Sequence, residues 1–278
     1  MKLKYLLTTS LLALAGAAFS PPSAQAQVQV TYNADDLFLG FRKIGATTDY
    51  LVNIGQASIY RDFAGISFTL AIGNILPDLN SVLGAGWQTN PNVFWSVSGT
   101  PGLSAVGIDL ARTLYATREE LTYGIQSALW TRGSTSAQGP VMTKMNGLAQ
   151  AYLFTGGNPN TSTANSNFGI IQDTTVPTNN PYASYMDGGA NTLTGTSFAY
   201  FNPGIESSFA NGAGASQLDL VRLLPGSGAG EFVGTFTVSN GGIVTFNNNV
   251  VPEPASFAIV GSGVALLGMV RRRRSINA

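Results

Sequence analysis

The chain contains neither histidine nor cysteine, so any chemistry must come from carboxylates, lysine, tyrosine, serine or threonine. Ser-His-Asp triads, Cys-His dyads, thiolate sites and the usual zinc and copper sites are excluded, as is a disulfide framework. Glu119 and Glu120 are adjacent carboxylates, and paired carboxylates are what glycoside hydrolysis needs. Thr117-Arg118-Glu119-Glu120 also fits a capping box, in which the threonine hydroxyl accepts from an early backbone N–H and Glu120 reaches back. Neighbours on a helix face different ways, so the cap accounts for both glutamates and no catalytic residue is assigned. Asp35 and Asp36 with Asn33, and the run Asp187-Gly188-Gly189-Ala190-Asn191, offer oxygen ligands suited to calcium. Neither keeps the spacing of a calcium loop, so turn chemistry is the better reading and no metal is expected. Trp87, Trp95, Trp130 and the tyrosines are candidates for stacking on sugar rings, against the commoner role of filling a core. The Gly-rich stretches Gly226 to Gly230 and Gly261 to Gly263 lack the lysine and the strand-loop-helix context of a phosphate cradle. No cofactor is expected.

The formal charge of zero hides an uneven distribution. Between Gln27 and Val250 stand eight Lys and Arg against thirteen acids, a net charge of minus five, while two lysines lie near the start and four arginines near the end. A body with that balance has no basic patch for nucleic acid or an anionic membrane. Its low charged fraction, with abundant Gly, Asn, Ser and Thr, suits a secreted β-rich surface protein.

Both ends carry targeting chemistry. Lys2 and Lys4 precede an apolar stretch from Tyr5 to Phe19, and Ala24-Gln25-Ala26 supplies the small-x-small pattern that signal peptidase accepts through Ala24 and Ala26. Residues 1–26 therefore read as a signal peptide, with the mature chain starting at Gln27. At the other end, Val251-Pro252-Glu253-Pro254 leads into an uncharged apolar run, Ala255 to Val270, followed by Arg271, Arg272, Arg273 and Arg274. Proline fixes its own φ and pushes its predecessor out of the helical region, so a helix starts only after Pro254. As a transmembrane helix the run spans roughly 24 Å against a hydrocarbon core of about 30 Å, and the arginines hold their end in the cytoplasm.

This tripartite tail, residues 251–278, resembles the PEP-CTERM sorting signal of Gram-negative bacteria: a Pro-Glu-Pro motif, a membrane helix and a terminal basic cluster. The resemblance implies handling by an exosortase that cleaves near the motif, and a setting of exopolysaccharide or biofilm production. The departure is slight, with Ser275 to Ala278 trailing the arginines. Stretches of the body, among them Leu37 to Arg42, Asp49 to Gly55, Gly84 to Thr100 and Leu218 to Phe246, also look like PEP-CTERM cargo. They bring no activity that attaches to particular residues.

The elements that position these residues read mainly as antiparallel β. Leu37 to Arg42 and Asp49 to Gly55 predict a hairpin, Ile66 to Leu70 a half-buried strand, and Val93 to Ser98 another that pairs with Arg112 to Ala116. Pro77 and Gly84 bracket a short helix. A second helix is expected from Thr117 to Gly133 behind the capping box, and a third from Pro140 to Tyr152, the last two covering one face of the sheet. From Gly156 to about Ser216 long polar loops with a few short strands are expected, with isolated aromatics at Phe168, Tyr182, Tyr185, Phe198, Tyr200, Phe201 and Phe209. Leu218 to Leu224, Glu231 to Val238 and Ile243 to Phe246 complete a three-strand meander. The expectation is a mainly β or α+β single exported domain over residues 27–250 with two or three short helices, between the signal peptide and the C-terminal transmembrane helix. Three functions suit it. One is a non-enzymatic surface or extracellular-matrix protein, processed by signal peptidase and exosortase, held in the inner membrane through residues 255–270 with its body in the periplasm, and in contact with extracellular polysaccharide. The others are a carbohydrate-binding adhesin and a carboxylate-based polysaccharide hydrolase or lyase.

Overall fold

The structure is a computed structural model that describes residues 32–62, 65–120, 124–152, 169–175, 181–186, 204–209 and 215–248. The signal-peptide residues Ala24 and Ala26, the run Asp187 to Asn191, the aromatics Phe168, Phe198, Tyr200 and Phe201, and the whole tail lie outside the described residues.

Among the described residues the chain forms strands β1 (Asp36–Lys43), β2 (Thr48–Gln56), β3 (Ser67–Thr69), β4 (Val93–Gly99), β5 (Leu114–Glu119), β6 (Gly169–Asp173), β7 (Ser207–Ser208), β8 (Ala215–Leu223), β9 (Glu231–Ser239) and β10 (Val244–Asn247). Helices α1 (Ala57–Arg61), α2 (Leu76–Leu83), α3 (Thr135–Tyr152) and α4 (Tyr182–Met186) lie between them. All strands join one antiparallel sheet in the order β3-β10-β9-β8-β5-β4-β1-β2-β6, with β7 beside β4. The mainly antiparallel β architecture is thus the one the alternating apolar runs predicted, including the first hairpin and the final meander.

The middle of the sheet is buried on both faces, and its sequence shows why. In β1, Leu37, Leu39 and Phe41 enter one core with Tyr50, Val52, Trp87 and Trp95. Phe38 enters a second core under α3 and α4, with Leu51, Met145 and Tyr182. A strand covered on both sides loses polar alternation, which is how Leu37 to Phe41 reads. Gly40 leaves room for the Tyr182 ring: a Cβ there would stand 2.3 Å from its nearest carbon.

α2 begins and ends as its sequence dictates, with Pro77 in the first turn and Gly84 at φ 85° past the end. α3 starts earlier than Pro140. Ser134 caps it, its carbonyl accepting from Gln138 at 3.0 Å and its hydroxyl from Ala137 at 3.2 Å. Pro140 lies inside the helix, close enough to the start that few helical hydrogen bonds are forgone.

The helix expected from Thr117 does not form. Residues 114–119 are β5, paired with β8 from Leu114 opposite Leu223 to Glu119 opposite Leu218, and with β4 through Ser98 and Ala116. The Thr117 hydroxyl accepts from the Val97 N–H at 2.9 Å and reaches the Ile205 carbonyl at 2.9 Å. Glu120 reaches forward to the Gly124 N–H at 2.6 Å, and not back. Pairing along a whole strand outweighs a cap worth about 1 kcal/mol. The face expected under two long helices is therefore covered by α3 and the short α4, which lie on β4, β5, β1 and β2.

Candidate functional site

Strands β9, β10 and β3 carry three short repeats: Ser67-Phe68-Thr69, Thr235-Phe236-Thr237 and Thr245-Phe246-Asn247. Alternation along a strand sends the phenylalanines to one side and the flanking polar groups to the other. Phe68, Phe236 and Phe246 all gather around Tyr60, with ring centroids 5.9, 5.2 and 4.9 Å away. That aromatic cluster locks the register, because a one-residue slip would turn the rings out to water. The opposite face then shows two rows running across the strands. One holds Thr69, Thr245, Thr237 and Gln217, and the next Ser67, Asn247, Thr235 and Asp219. Ser67, Thr69 and Asn247 are exposed and the threonines of β9 and β10 half-buried.

Part of this face forms an open cleft of about 200 Å³, with Glu120, Gln126 and Gln217 on one side and Ser67, Thr245 and Asn247 on the other. At its edge the carboxyl groups of Glu120 and Asp219 lie near enough for their charges to interact. Burial first, and then the charge of Asp219, pushes Glu120 up to about 7; burial also raises Asp219. Asp219 accepts from the Ser127 N–H at 2.6 Å and the Thr235 hydroxyl at 2.9 Å. Like charges held near each other raise each other's proton affinity. Glu119, on the other side of the strand, accepts from the Ser207 hydroxyl at 2.9 Å. The two glutamates thus face apart, as expected, but on a strand and not at a cap.

Two buried ionic nodes pin the sheet elsewhere. Asp109 is fully buried and accepts from Arg222 at 2.6 Å, from Arg61, and from the Tyr115 hydroxyl at 2.8 Å. Arg222 also holds Glu231 at 2.8 Å and the Ile108 carbonyl at 3.1 Å. Beside them Asp35, at a positive φ of 74°, is pushed up to about 8 by burial and then by the charge and hydrogen bond of Asp109. Burial and the neighbouring carboxylate thus favour its neutral form. On the other side of the sheet Arg42 grips Glu206 with contacts of 2.7 to 3.0 Å, and the Tyr182 hydroxyl donates to Glu206 at 2.9 Å. Burial pushes nearby Asp49 up to about 8 against the lowering hydrogen bond from the Ala183 N–H.

These positions revise several sequence candidates. Asp36 accepts from the Asn33 N–H and the Asn53 amide, both at 2.7 Å, and from Gln56, so Asn33, Asp35 and Asp36 serve a turn and an ion network. Among the described residues no group of three or more acids forms a metal cluster. Trp87 and Trp95 are wholly buried and Trp130 nearly so; they fill the cores, and no stacking platform for sugars exists there. Sequence reasoning missed the polar rows, although the repeated pattern of a hydroxyl residue, Phe and a second polar residue was a usable signal.

Because Asp35 and Asp49 keep their protons in the folded state up to about pH 8 but lose them near pH 4 when unfolded, the folded chain binds more protons between those values. Their contribution is complete below about pH 4 and is lost as pH rises through about 8. Asp62 and Asp173, held low by Arg61 and Thr175, act in the opposite sense from the surface and count for little. The unfolding temperature is therefore expected to be higher at pH 5.5 than at pH 9 by on the order of 5 °C. Asp35→Asn, which is neutral at every pH, should flatten that slope.

Comparison with known proteins assigns the tail. Residues 250–274 match the PEP-CTERM protein-sorting motif. That span includes Val251, Pro252, Glu253 and Pro254 as well as Arg271 to Arg274. The chain thus carries the signal of an exported protein that is sorted by an exosortase and passes through a membrane-anchored intermediate to the cell surface. No curated protein and no solved structure matches the chain. Among the described residues no helix is long and apolar enough to cross a membrane.

Proposed function

We propose that this protein is a non-enzymatic component of the cell surface or extracellular matrix, associated with exopolysaccharide. Signal peptidase removes residues 1–26 after Ala26. Residues 255–270 then park the chain in the inner membrane with the body on the periplasmic side, and exosortase releases it near Pro252 to Pro254. The observation that carries the reading is the sorting motif at residues 250–274. Support comes from the acidic body, in which eight Lys and Arg stand against thirteen acids, a balance unsuited to nucleic acid.

Pulse labelling in cells with and without the exosortase checks this. The expected result is a short-lived full-length membrane species that gives way to a smaller surface form, and that persists when the exosortase is deleted. An identical full-length membrane species in both strains would overturn it. The adhesin reading is favoured by one observation, the polar rows on the face of β9, β10 and β3 opposite the Tyr60 cluster.

A further inference from the structure

We infer that the face of β9, β10 and β3 opposite the Tyr60 cluster, open among the described residues, binds a neutral polysaccharide chain, laid across the strands along the row Thr237-Thr245-Thr69 with Gln217 at its end. The inference rests on the proposed extracellular setting for its ligand, but its residues lie outside the sorting motif at 250–274.

The geometry is that of a repeating hydrogen-bonding surface. Neighbouring strands lie about 4.8 Å apart, and the two rows are separated by roughly 6.8 Å along the strands. The register brings threonine opposite threonine twice in the first row, Thr69 to Thr245 and Thr245 to Thr237. A threonine hydroxyl has one donor and two acceptor positions; Thr237 already accepts from the Gln217 amide at 3.2 Å, and Gln217 accepts from the Gly124 N–H at 3.2 Å, which fixes the end of the row and leaves the Thr237 donor for a ligand. Sugar hydroxyls have the same dual character, so a row of this kind can exchange hydrogen bonds with successive units in either direction. β-branched threonines have few rotamers to lose, and the Phe68, Phe236 and Phe246 cluster beneath holds the backbone. The face is therefore ordered before it binds.

Charge selects the class of polymer. Among the described residues the cleft's lining includes Glu120 and no lysine or arginine. Arg118, in line with Asp219 on the next strand, is committed to the Ala128 carbonyl and the Trp130 ring. An anionic polymer therefore meets the Glu120 carboxyl without a lining cation, whereas a neutral one meets hydroxyls and amides. Each contact is weak, and retention comes from many copies held along one long polymer.

The test uses the mature protein recovered from the cells that make it, co-sedimented with insoluble cellulose, chitin and (1→3)-β-glucan, and with calcium-gelled alginate as the anionic control. Binding is expected to at least one of the three neutral polymers and not to alginate. Thr237→Val with Thr245→Val keeps the branched shape but removes two hydroxyls, and should weaken binding about tenfold. Thr143→Val, on the exposed side of α3, should leave it unchanged. If the double variant shows an altered unfolding temperature, Gln217→Ala replaces it and should also weaken binding. No binding to any neutral polymer, stronger binding to alginate, or full binding by the folded row variants each overturns the inference. Failure here with normal exosortase-dependent processing would sink the ladder alone; failure of processing would sink the sorting route alone.

Discussion

Replacing Pro252-Glu253-Pro254 with three alanines is expected to trap the protein at full length in the membrane fraction and to reduce the processed surface form to about a tenth or less, a block worth at least one tenfold step. The reasoning is geometric. In the proposed anchored form the two prolines would disfavour helix before Ala255, which would leave an extended, charged segment for the processing enzyme at the lipid boundary. Alanine is the strongest helix former. Three alanines would continue the helix backwards by about 4.5 Å, taking the apolar rod from roughly 24 Å to roughly 28 Å and close to the thickness of the hydrocarbon core. The formerly extended segment would then lie in lipid with its backbone bonded to itself. Mass spectrometry of the C-terminus in the membrane and surface fractions reads the outcome directly. Unchanged processing, or a surface form that retains Ala278, would show that the motif does not direct release.

How much of the molecule could be read in its sequence depended on the range over which its order is set. The hairpin of β1 and β2 and the meander of β8 to β10 have short turns and strong alternation, and both formed where expected. So did α2, whose stop and start signals are local. The misread segment was Thr117 to Gly133, where a local capping pattern competed with pairing to a strand about a hundred residues later. Leu114 and Ala116 facing one core with Tyr115 facing the other was the available clue, but a period of two over so short a run is easily masked by a neighbouring cap. The tryptophans posed another kind of difficulty: ring type alone does not tell a stacking platform from a core, and only their full burial decides it. The Asp109 node had no sequence signature, because its partners Arg61 and Arg222 stand 48 and 113 positions away.

That node carries the largest stability effect expected of a single change in the body. Asp109 to leucine removes the carboxylate shared by Arg61 and Arg222, whose side chains are only 10% and 8% exposed. Breaking a buried pair by deleting one partner costs about 3–5 kcal/mol, because the remaining charge keeps its desolvation penalty without its counter-ion. Two guanidiniums are affected here, although Arg222 retains Glu231 and Arg61 retains Asp62. The unfolding temperature should fall by on the order of 10 °C. Asp35 makes the prediction sharper. Its proton is held by burial and by the charge of Asp109, against the lowering pull of Arg61 and Arg222. With Asp109 gone, the raising charge disappears and the two arginines remain, so Asp35 is expected to ionise more readily and take over as their counter-ion. Asp109→Asn, which keeps the shape, should therefore lose part of the pH slope as well as stability. Asp35→Asn added to it should cost more than the two single changes together, the non-additivity expected of residues in one network. Thermal unfolding of the four variants across pH 5.5 to 9 measures both effects. Strict additivity with an unchanged slope would show that the charge of Asp109 does not hold the Asp35 proton in place.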